Sequence, residues 1–115
     1  MVDDAKYVEF YDTGYQIFPG VLTSVETQEY KRRLVEVYNR QAESFGLANL
    51  RRTQEENIVR SPFLSDPAFE KPFYNDFTEN IVNDILGEHA ILSLQNGIVV
   101  PPQSSHHQAF YHRDI

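Results

Sequence analysis

Ile91-Leu92-Ser93-Leu94-Gln95-Asn96-Gly97-Ile98-Val99-Val100 is where the hydrophobic period of the chain changes. On an extended backbone Leu92, Leu94, Ile98 and Val100 fall on one face and Ser93, Gln95, Gly97 and Val99 on the other, because successive side chains of a strand point to opposite sides. The stretch therefore predicts a strand. What precedes it reads mostly as helix and loop.

Just upstream, Phe77, Ile81, Val82, Ile85 and Leu86 recur at helical spacing and stop at Gly87. Ser65-Asp66-Pro67 supplies a side-chain cap with proline in the first turn, and Asn75-Asp76 is a point at which this segment divides into two helices. Further back, Thr23 with Glu26 forms a capping box, after which Tyr30, Leu34, Val37, Tyr38 and Phe45 mark one face of a helix that Gly46 ends. Tyrosines at that spacing are packing residues before they are ligand contacts. Residues 47–62 are polar and read as a solvated connection or a lid, in which Arg51, Arg52, Glu55, Glu56 and Arg60 can pair with one another. At the start, residues 5–12 suggest a short helix and residues 15–18 a brief strand before the Pro19-Gly20 turn.

Downstream of the deciding stretch, residues 101–107 read as a loop and residues 108–115 as the next strand. Helices first and strands last predict an α+β arrangement, with helices packed on one side of an antiparallel sheet. A single domain spans residues 1–115: residues 1–90 are helical and residues 91–115 begin the sheet.

Composition narrows the function classes. With 10 Lys and Arg against 17 Asp and Glu the formal charge is −7, which disfavours nucleic acid and anionic membrane surfaces as partners. The one basic cluster, Lys31, Arg32 and Arg33, is followed by Glu36 and reads as a solvated helix face. There is no cysteine, so disulfides, thiol catalysis and thiolate metal sites are excluded, and a reducing compartment is compatible. No apolar run is long enough to span a bilayer, and Asp3 and Asp4 stand where a secretory signal carries base. The expected location is the cytoplasm.

On the last expected strand, His112 and Asp114 are two residues apart and share a face, while Arg113 points away. An imidazole and a carboxylate side by side are two thirds of the two-histidine, one-carboxylate triad that holds ferrous iron with positions open for co-substrate and oxygen. The same spacing also suits a strand histidine held by Asp114 or by a backbone carbonyl. His89, His106 and His107 are the other imidazoles. Adjacent His106 and His107 diverge on an extended chain and read as exposed loop residues, in preference to a zinc site with His112.

The run from Ile91 to Pro102, followed by His107-Gln108-Ala109-Phe110-Tyr111-His112-Arg113-Asp114, resembles the phytanoyl-CoA dioxygenase family, with Gln108, Tyr111, His112 and Asp114 in the places of that family's motif. Gly14-Tyr15-Gln16-Ile17-Phe18-Pro19-Gly20-Val21-Leu22 and the capped helix after it look like the family's opening, and residues 81–90 like its helix before the barrel. The resemblance implies a double-stranded β-helix, or jelly-roll, barrel. It also implies non-haem Fe(II) on His112 and Asp114, with 2-oxoglutarate as co-substrate in the hydroxylation of a small organic substrate. Gln95 and Asn96 would border the cavity as cofactor-binding residues, or bond neighbouring backbone as strand polar residues commonly do.

The chain departs from the family's pattern in one respect: the second histidine ligand and the basic residue that clamps 2-oxoglutarate lie well downstream in those enzymes. The expectation is therefore an oxygenase fragment that is not competent alone. The alternative is a binding or self-assembly module derived from the same fold. In either case an open strand edge is expected to bring self-association or a partner chain.

Overall fold

The computed structural model describes residues 4–102 and 111–113. A 3-10 turn at Asp4–Tyr7 leads into α1 (Val8–Thr13), followed by α2 (Ser24–Phe45), α3 (Leu47–Arg52), β1 (Ile58–Arg60) and α4 (Pro62–Ser65). A second 3-10 turn at Pro67–Glu70, then α5 (Asp76–Leu86) and β2 (Asn96–Ile98), complete the order. Among the described residues the chain is α+β, with helices beside a two-stranded antiparallel sheet. Among the described residues no helix is long and apolar enough to cross a membrane.

Helix α2 starts at the expected capping box, where Thr23 Oγ1 accepts from the Glu26 N–H at 3.1 Å. It stops at Gly46, which takes φ +83° and donates its N–H to Ala42 O. Its inner stripe is narrow. Val37 is buried with Val59 and Phe69, and Tyr30, Leu34, Tyr38 and Phe63 pack around that nucleus. The tyrosines are thus core residues, with Tyr30 and Phe69 holding ring centroids 5.7 Å apart. On the solvent side Arg32 pairs with Glu29 and Glu36. Arg33 does more than expected of a solvated face, because it bridges Glu29 to Asp66 across the fold.

The break at Asn75 is also real: Asn75 Oδ1 accepts from the Thr78 N–H at 3.0 Å and opens α5. The N-terminal turn docks on that helix, with the fully buried Tyr7 donating its hydroxyl to Asp84 Oδ2 and Lys6 3.7 Å from the same carboxylate. That hydrogen bond, together with burial, raises the Tyr7 hydroxyl above its ordinary pKa, so Tyr7 serves as an anchor and not as a base.

Three expectations are corrected. Residues 15–18 form no strand; no strand pairs with them, and Phe18 is held by an edge-to-face contact with Phe77 at 5.4 Å. Residues 47–62 are not merely a connection, since they contain α3, β1 and the start of α4. The strand expected over residues 91–100 is regular only at Asn96–Ile98, because β1 offers just three residues to pair with it.

Candidate functional site

The sheet pairs Ile58 with Ile98, Val59 with Gly97 and Arg60 with Asn96. Val99 N–H donates to Asn57 O at 2.8 Å and Ser61 N–H to Gln95 O at 2.7 Å, so the odd-numbered residues are the hydrogen-bonded positions. Val59 lies over Val37, and an added Cβ on Gly97 would overlap Leu34 Cδ1, so the odd-numbered side faces α2. Leu94, Ile98 and Val100 have the opposite parity, and all three are exposed. The apolar face of the deciding stretch is therefore the one turned away from the helices. Ile58, the cross-strand partner of Ile98, is fully buried.

Gln95 faces the helical side. Its Nε2 donates to Phe69 O at 3.0 Å, while Oε1 is buried with no hydrogen-bond partner among the described residues. Asn96 lies on the other face beside Arg60. In the amide orientation that satisfies both groups, it donates to Gln95 O at 3.0 Å and accepts from Arg60 Nη1 at 2.9 Å. Arg60 also forks onto Glu55, with Nε 2.9 Å from Oε2 and Nη2 2.7 Å from Oε1. Glu55 holds the Arg60 guanidinium above its ordinary pKa, so it stays charged. A polar chain of Glu55, Arg60 and Asn96 thus crosses both strands.

The sequence suggested that Arg60 and Glu55 can pair. The link to Asn96 was not legible, because nothing in residues 47–62 signalled a strand in register with β2.

His112 is exposed and lies in residues 111–113, which have no regular secondary structure. Asp114, His106, His107 and Gln108 lie outside the described residues, as does most of the strand expected over residues 108–115. His89 is exposed in the turn after α5. Among the described residues no three His, Asp or Glu side chains are grouped to hold a metal. An imidazole and a carboxylate are the donor types that suit ferrous iron, but a facial triad needs three such ligands together, and the described residues hold no group of three.

Comparison with protein-family models, curated proteins and solved structures finds no match to this chain.

Proposed function

We propose that this chain is the N-terminal part of a non-haem Fe(II)- and 2-oxoglutarate-dependent oxygenase domain, akin to the phytanoyl-CoA dioxygenases, that hydroxylates a small organic substrate. It is not competent alone. The supporting observation is the two-sidedness of β2, which is backed by helix α2 on its Gly97 side and carries exposed Leu94, Ile98 and Val100 on the other, shortly before His112. A sheet with helices outside and an apolar face awaiting cover is what one layer of a jelly roll requires.

In this reading His112 and Asp114 hold the iron, and a second histidine and a basic residue come from the rest of the domain. When bound, the metal supplies activation of oxygen coupled to oxidative decarboxylation of the 2-oxo acid. Asn96, fixed by Arg60, borders the space in front of the exposed face. Gln95 instead stiffens the junction with Phe69. The setting is the cytoplasm, and the uncovered face associates with another copy or a partner chain. A second reading, a non-catalytic assembly module, rests on that same exposed face.

Anaerobic titration of Fe(II) and 2-oxoglutarate into the product of the full reading frame tests the proposal. Binding of both is expected there; once oxygen is admitted, succinate release is expected, with turnover lost in His112→Ala. The 115-residue chain is expected to bind iron weakly without turnover. Unchanged activity in His112→Ala would remove that residue from the site, and stoichiometric decarboxylation by the short chain would refute the claim of incompetence.

A further inference from the structure

On the far side of β1 from its strand partner, α2, α3 and α4 enclose an open cleft of about 970 Å³. Its floor includes Val37 and Leu50, both buried, and Phe45 and Leu64 stand exposed at its edge. Arg40, Arg52 and Arg60 line the same cleft, with Glu55 as the one acidic side chain among the lining residues. In a chain with 10 basic residues against 17 acidic ones, three arginines to one carboxylate is a local reversal of sign.

The three arginines are not equivalent. Arg60 is committed to Glu55 and Asn96. Arg40 and Arg52 make no hydrogen bond or ion pair with any described residue, although Arg40 acts through space on Asp66. Two guanidinium groups with no hydrogen bond or ion pair among the described residues, beside an apolar floor, offer forked donors for an anionic head and a surface for an apolar body. The wall that carries Arg60 is also conformationally unusual, since Gln54, Asn57 and Ser61 all take left-handed backbone angles, with φ +60°, +66° and +48°. Such positions concentrate at ligand-holding segments.

We infer that this cleft binds an amphipathic organic anion, its carboxylate held by Arg40 and Arg52 and its hydrocarbon body lying on Val37 and Leu50. The inference is independent of the iron reading, because it uses none of the residues assigned to iron.

Titration of octanoate into the isotopically labelled chain, followed by amide shifts and calorimetry, tests it, with 1-octanol and acetate as the matched uncharged and body-less probes. Shifts confined to residues 37–65 are expected. Octanoate should bind about tenfold or more tighter than either control, and the Arg40→Ala, Arg52→Ala double variant should lose at least about tenfold in octanoate affinity while keeping its affinity for octanol. Both arginines are exposed, so the double variant keeps the fold, which its amide spectrum verifies. Octyl phosphate binding as tightly as octanoate would leave an anion site but remove the assignment to carboxylate. Equal affinity for octanol and octanoate, an unaffected double variant, or shifts centred elsewhere would each overturn the proposal.

Discussion

Gly97 is the residue on which the helix–sheet contact turns. A methyl group there would overlap Leu34 Cδ1, the tip of a side chain already packed against the Val37 nucleus. Gly97→Ala therefore forces Leu34 out of its rotamer or lifts β2 from α2, and the expected cost is about 1 kcal/mol. Chemical denaturation should show this, and pairing the change with Leu34→Ala should give less destabilisation than the sum of the two single changes. Strict additivity would mean that the two positions do not touch. The sequence displayed Gly97 as one member of the weaker face of an alternating run. It did not reveal that this weaker face is the one that packs, because apolar content alone does not say which side of a strand meets a helix and which meets something else.

At the scale of elements, the junction between α2 and the Pro67–Glu70 turn is held by charge. Asp66 Oδ1 accepts from the Ala68 N–H at 3.0 Å, and Arg33 Nη1 lies 2.9 Å from Oδ2; the backbone donor first, then the guanidinium, lower the Asp66 pKa from its ordinary 3.8. Hydrogen bonds from Arg32 and Arg33 lower Glu29 from 4.5 to about 2. Both groups bind protons more readily in the unfolded chain, so their stabilisation is complete above pH 4.5 and is lost as pH falls toward about 2. The denaturation midpoint should decline through that window, and Asp66→Asn should shallow the decline; a variant with the parent's slope would exclude Asp66 as a contributor. Capped helices such as α2 and α5 were legible because their signals are local: Thr23 with Glu26, Asn75, and the glycines at positions 46 and 87. Strand β1 was not, because Ile58-Val59-Arg60 is too short to show a period and exists only through its pairing with β2.

For the molecule as a whole, the core is small. The radius of gyration is 16.6 Å, against about 13 Å for a compact chain of this length. Leu94, Ile98, Val100 and Ile91 remain exposed beside the sheet. Sedimentation at rising concentration is expected to show self-association, reduced by Ile98→Lys; a monomer at every concentration would contradict it. The mixture of helices with an antiparallel sheet was readable from the sequence, but the expected order of helices first and strands last was not met, because β1 falls between α3 and α4. The barrel that the resemblance implies is not seen among the described residues, which form a sheet of two strands.

Helix α2 also presents Gln41, whose Nε2 donates to Ile58 O at 2.6 Å on the margin of β1 that points away from β2. With that carbonyl satisfied, the outer margin of β1 offers one acceptor fewer to an incoming strand. A single amide side chain thus discourages runaway fibre growth in a protein that otherwise leaves much oily surface in view.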